Sequence, residues 1–145
     1  MRHSAFLTLV TVLLAGRTLA GEDTAARYDV SAAANGAHTY KAYCAVCHGR
    51  TGHGDGPLSA SLRVTPADLT RISKRNRGEF PFDKVAKIID GREHVKGHGD
   101  SDMPAWGDAF LESREGYDEA KVKEKIRGLA HYLASIQETA QASKK

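Results

Sequence analysis

The chain has 145 residues, with 21 basic and 18 acidic side chains and a formal net charge of +3. That length fits one domain, and so balanced a charge points neither to nucleic acid nor to an acidic membrane surface. Both cysteines fall in one short stretch, Cys44 to Cys47, where a disulfide would close almost no loop.

In chain order, residues 1–20 read as a secretory signal. Arg2 supplies the positive start, Ala5 to Gly16 the apolar core, and Thr18-Leu19-Ala20 a small-residue cleavage site. The apolar core is too short for a stable span. The alternative is an uncleaved tether, which Arg17 in the cleavage region leaves open. Cleavage removes Arg2 and Arg17 and no acid, so the mature chain is close to neutral. Residues 21–30 are polar and aperiodic, a flexible N-terminus. Residues 31–139 form the domain proper, and 140–145 a polar, disordered tail.

From Ser31 to Cys44 the pattern is helical. Ser31 is positioned to cap the start, and Gly36, Tyr40, Tyr43 and Cys47 recur on one face. Next comes Cys44-Ala45-Val46-Cys47-His48, the attachment signature of c-type haem. Two thiols on one turn can form thioethers with the two vinyl groups of one porphyrin. The histidine that follows then lies under the iron as an axial ligand. It binds through Nε2 and gives its Nδ1 proton to a nearby acceptor. The rival readings of the cysteines are weaker. A thioredoxin-like pair lacks the strand pattern of its fold. A zinc site built from Cys44, Cys47, His94 and His98 has a central gap far longer than a zinc finger allows.

Gly49 to Pro57 contains four glycines and reads as a loop with unusual backbone angles. A phosphate cradle is the poorer reading, because no P-loop Lys-Ser/Thr follows and no strand precedes. Ser59 to Val64 is a candidate short helix ended by Pro66, with Asp68 or Thr70 able to start another turn. Arg71, Lys74, Arg75 and Arg77 make a basic stretch. Its bland reading is a solvated loop, and its functional one a docking patch for an acidic redox partner. Pro81 to Asp90 is an apolar-striped helix stopped by Gly91. A polar loop with His94 and His98 leads to Met103-Pro104-Ala105-Trp106-Gly107. Asp118 to Gln137 is a long amphipathic helix striped by Val122, Ile126, Leu129, Leu133 and Ile136. No strand pattern and no repeat appears.

Iron bound by His48 alone has one open position. Met103 is the only methionine after the signal, and it sits in a polar loop where a core residue is not expected. A thioether there completes a His/Met pair, which raises the reduction potential. His94 and His98, also in loops, remain the rivals. His38, His53 and His131 read as surface histidines.

These residues resemble the class I c-type cytochromes, small exported bacterial electron carriers. The resemblance covers about Ala33 to Ile136. It rests on Cys44 to Gly49 followed by Gly54-Asp55-Gly56-Pro57, on Met103 to Gly107, and on Leu129-Ala130-His131-Tyr132-Leu133. It implies an all-α cytochrome c fold wrapped around one covalent haem c. It also implies a crossing of the N- and C-terminal helices at Gly36, Tyr40, Leu129 and Tyr132. By position it makes Met103 the second iron ligand and the Pro57 carbonyl the acceptor for the His48 Nδ1 proton. The expected function is one-electron transfer in the periplasm between partner proteins, without catalysis by this chain and without nucleic acid. The expected state is a monomer or a complex subunit. The alternatives are the haem-bearing subunit of a periplasmic dehydrogenase or oxidase complex and a ligand-binding or peroxidase-like haem protein.

Overall fold

A computed structural model describes residues 28–92 and 103–138. The signal, His94, His98 and the C-terminal tail lie outside the described residues. Within them there are helices and no strands: α1 (Val30–Tyr43), α2 (Ala45–His48), α3 (Ile72–Arg75), α4 (Phe82–Asp90), α5 (Trp106–Leu111) and α6 (Glu119–Ser135). Short 3-10 turns occur at Ser59–Ser61 and Leu69–Arg71. None of the described helices is long and apolar enough to cross a membrane.

The first helix begins one residue before the expected cap. Asp29, in extended conformation, takes the capping role in place of Ser31, and its side chain accepts from the Ala32 amide at 2.8 Å. That satisfies one of the first-turn donors that have no partner inside the helix. Asp118 does the same for α6, accepting from the Lys121 amide at 2.8 Å. Helix α4 starts after Pro81 and ends at Gly91, whose left-handed φ of 72° closes the Gly91 amide onto the Lys87 carbonyl.

Helix α6 is the spine of the core. Val122, Ile126, Leu129 and Leu133 are buried along it, against Val85 and Ile89 of α4, Phe110 of α5 and Tyr40 of α1. Each large apolar side chain buried this way contributes about 1.5–3 kcal/mol. The short helix α5 was not legible as a helix, because six residues after a proline carry no measurable period. It is fixed by packing instead. Tyr43, Trp106 and Phe110 form an aromatic cluster with ring centroids 5.3–5.5 Å apart, in tilted and edge-on geometries that favour such pairs.

Helices α1 and α6 cross at glycine, as the resemblance implied, but a second glycine takes part. A Cβ on Gly36 would run into the carbonyl of Gly128 and reach 3.0 Å from the Leu129 amide nitrogen. The two backbones therefore touch directly. One turn further on, the rings of Tyr40 and Tyr132 lie 4.9 Å apart. His131, expected at the surface, is half-buried and structural. Its ring packs 4.4 Å from Phe82 and accepts a hydrogen bond from the Asp29 amide.

Candidate haem site

Helix α1 runs almost directly into the cysteine motif. Cys44 closes α1, its amide donating to the Tyr40 carbonyl at 2.8 Å. Its own carbonyl then accepts from the amides of Cys47 at 3.1 Å and His48 at 2.9 Å. This single turn puts both thiols close together. Neither cysteine is in a disulfide, and both are half-buried. Burial, and then the neighbouring Cys47, push the Cys44 thiol up to about 12, so it stays protonated at neutral pH.

His48 is half-buried, with Nδ1 3.2 Å from the carbonyl oxygen of Ala67. A carbonyl can only accept, so Nδ1 carries the proton and Nε2 keeps its lone pair. Burial lowers the His48 pKa, against the opposing pull of the Ala67 bond, and so favours the neutral, metal-binding imidazole.

The resemblance assigned this acceptor role to Pro57; the structure assigns it to Ala67. The reason lies in the backbone. The amides of Gly54, Gly56 and Leu58 donate to the carbonyls of His48, Cys47 and Val46. The segment holding Pro57 is thereby laid along the carbonyls of α2, and Pro57 itself is exposed. Gly54, at φ 82°, has no Cβ to block the Pro66 carbonyl, so the Pro66–Ala67 segment closes in over the histidine. Ala67 could not have been found from its side chain, because the functional atom is one that every residue carries. Tyr40 was legible as a packing residue only; its hydroxyl, fully buried, also donates to the Gly49 carbonyl at 2.7 Å. That bond pins the loop after the motif onto α1.

Beyond Ala67 the chain enters the turn Leu69–Arg71. Asp68 caps it, accepting from the Thr70 amide at 2.9 Å and the Thr70 hydroxyl at 2.6 Å. Burial opposes the Asp68 charge, but these bonds together with His53 and Arg71 hold its carboxyl below the usual range. His53, Asp68 and Glu138 converge here. The Arg71 guanidinium already stands between the two carboxylates, 3.4 Å from Asp68 and 3.0 Å from Glu138. The basic stretch is thus partly internal: Arg71 is engaged in this cluster, and Arg75 donates to the Asp68 carbonyl at 2.8 Å. It is also partly helical, as α3, where a loop was expected.

The donor set fits a porphyrin. Two free thiols share one turn, a neutral imidazole keeps Nε2 unused, and several large apolar side chains are exposed. Val46 is 41% exposed, Leu58 46%, Val64 61% and Met103 40%. Met103 precedes α5, whose Trp106 packs on Tyr43, the residue before Cys44. A separate open groove of about 890 Å³ between α4 and α6 is lined by charges of both signs and contains no motif residue.

Helices without strands among the described residues, a glycine crossing of α1 and α6, and a Cys-x-x-Cys-His turn define an all-α cytochrome c fold. A family model described as cytochrome c oxidase, cbb3-type, subunit III matches residues 31–119. The chain belongs to this family of c-type cytochrome domains. No curated protein and no solved structure gives a significant match. The family implies haem c and haem-based electron transfer rather than catalysis by the domain itself. Helix α6 lies almost wholly beyond the matched residues, so its part in the fold rests on the packing described above.

Proposed function

We propose that the chain is an exported one-electron carrier that binds a single haem c covalently through Cys44 and Cys47, with His48 and Met103 as axial ligands. The observation that carries this reading is the motif turn: two unpaired thiols and a histidine whose Nδ1 is tied to Ala67, leaving Nε2 for iron. When bound, the haem supplies a one-electron couple between ferric and ferrous iron. The chain's own residues orient the imidazole, cover the porphyrin face and set the potential. The signal pattern of residues 1–20 supports a periplasmic location, and the donor and acceptor are redox proteins.

The test is the intact mass of the mature chain produced with cytochrome maturation machinery. The expected mass is the polypeptide plus one haem, and either Cys44→Ser or Cys47→Ser lowers haem retention. A mass equal to the bare polypeptide would overturn the reading.

The oxidase subunit for which the matching family is named supports a second reading, in which the chain is the haem-bearing subunit of an oxidase complex. Purification from native extract separates the two. A carrier elutes at its own size, and a subunit elutes with larger partners.

A further inference from the structure

We infer that Gln137 is a positioning residue for His48: through the turn at Leu69–Ser73 it holds the Ala67 carbonyl against the histidine Nδ1. The inference rests on the proposed haem ligation.

The Gln137 amide is used at both ends. Its Oε1 accepts from the Ser73 amide at 2.8 Å, and its Nε2 donates to the carbonyls of Leu69 at 2.8 Å and Leu133 at 2.7 Å. Because a backbone N–H only donates and a carbonyl only accepts, one orientation of the amide satisfies all three. Two of these groups are helix-end orphans: Ser73 lies in the first turn of α3 and Leu133 in the last turn of α6. The next residue adds to the grip. The Glu138 amide donates to the Thr70 carbonyl at 2.8 Å, and its carboxylate takes Arg71.

The turn in its grip begins at Asp68, the residue bonded to Ala67. Asp68 is fixed by its carboxylate, through Thr70, and by its carbonyl, through Arg75. The Leu69 amide is fixed to the Gly52 carbonyl at 2.6 Å. The two partners of the His48–Ala67 bond are thus held by two arms of one body. His48 hangs from α1 through α2, while Ala67 hangs from the end of α6 through Gln137, and α1 and α6 are locked at Gly36 and Gly128. Sequence alone gave Gln137 only the last position of an amphipathic helix.

A well-made Nδ1–H···O bond makes the imidazole a stronger donor to iron and favours the ferric state. Loosening the clamp therefore raises the midpoint potential. Charge-neutral variants isolate this from simple electrostatics. Gln137→Met keeps the length and loses all three bonds, and Gln137→Asn keeps the amide on a shorter stem. In the haem-loaded full chain, we expect both to retain haem. The ferrous-to-ferric ratio at a fixed ambient potential should rise about threefold or more in Gln137→Met, and less in Gln137→Asn. The His48 Nδ1–H proton resonance of the reduced protein should move upfield, reporting a weaker bond. If Gln137→Met does not fold, the same two readouts on Gln137→Asn decide. A lowered melting temperature with wild-type potential and wild-type resonance would overturn the inference and leave Gln137 a purely structural residue. Absence of haem bands in the wild type would overturn the functional reading itself, a result distinct from haem bound with an unmoved potential.

Discussion

The backbone N–H of Asp29, at the start of the first helix, donates to Nδ1 of His131 on the last, 3.0 Å away. A backbone N–H can only donate, so His131 holds this bond only when Nδ1 is bare and the ring neutral. Burial pushes the His131 pKa below its ordinary value, and Arg127 works in the same direction against the Asp29 carboxylate. The unfolded chain therefore binds this proton more tightly than the folded one. The stability the contact contributes is complete above about pH 6.5 and is lost as pH falls through the lowered folded-state value. Melting curves between about pH 7.5 and pH 5 should show the wild type losing stability. A His131→Asn variant should show a shallower dependence. Parallel curves would mean that His131 does not titrate across the transition.

The glycine crossing is asymmetric. A methyl on Gly36 meets backbone atoms of Gly128, which cannot move aside, while a methyl on Gly128 finds the Ala32 carbonyl at 3.3 Å and Gly36 at 3.6 Å. Gly36→Ala should cost about 1–3 kcal/mol by overpacking. Gly36→Val should cost at least as much. Gly128→Ala gains helix propensity of up to about 1 kcal/mol and should be nearly neutral. Denaturant unfolding of the three variants checks this, and equal costs for Gly36→Ala and Gly128→Ala would refute the asymmetry.

Removal of the Tyr40 hydroxyl isolates the bond to the motif loop. Tyr40→Phe preserves the ring beside Tyr132 and leaves the Gly49 carbonyl with only a long bond, 3.4 Å, from the Gly52 amide, which should cost about 1 kcal/mol. Amide exchange across Gly49 to Gly54 should accelerate more than exchange in α6. A uniform acceleration would indicate loss of global stability alone.

For Met103 the outcomes separate the ligand sets. A thioether favours ferrous iron more than a second imidazole does. Met103→His should lower the midpoint potential with the iron still six-coordinate, and Met103→Ala should open the iron to carbon monoxide. The far-red Met–iron absorption band of the oxidised wild type should vanish in Met103→Ala. If the band is absent from the wild type and His94→Ala or His98→Ala changes the spectrum, a histidine is the ligand. Carbon monoxide binding by the unaltered reduced protein would point to an open site.

What could be read from the chain follows from the range of the interactions. The stripes of Val122, Ile126, Leu129 and Leu133, and of Val85 and Ile89, are local periodicities, so α6 and α4 were found to within two residues. The motif turn was legible because its chemistry resides in side chains of fixed spacing. Gly128 was missed because a glycine on a helix face is silent until its partner helix is in place. The Ala67 acceptor was missed for a related reason: a backbone carbonyl acquires its role only when the glycine at position 54 lets that segment approach. Helix α5 was missed because packing of its Trp106 and Phe110 on Tyr43, rather than propensity, holds it.

The Gly36–Gly128 contact also bears on the order in which the chain can be completed. Helix α1 has 14 residues, a length at which an isolated helix is marginal in water. Its buried residues Ala33, Gly36 and Tyr40 face α6, which lies more than 70 residues further along the chain. Until α6 docks, α1 lacks its main packing surface, and the adjoining Cys44 and Cys47 are held less firmly. The architecture thus leaves the two thiols more accessible before α6 docks than after, so that any covalent chemistry at the motif is easiest before the fold closes.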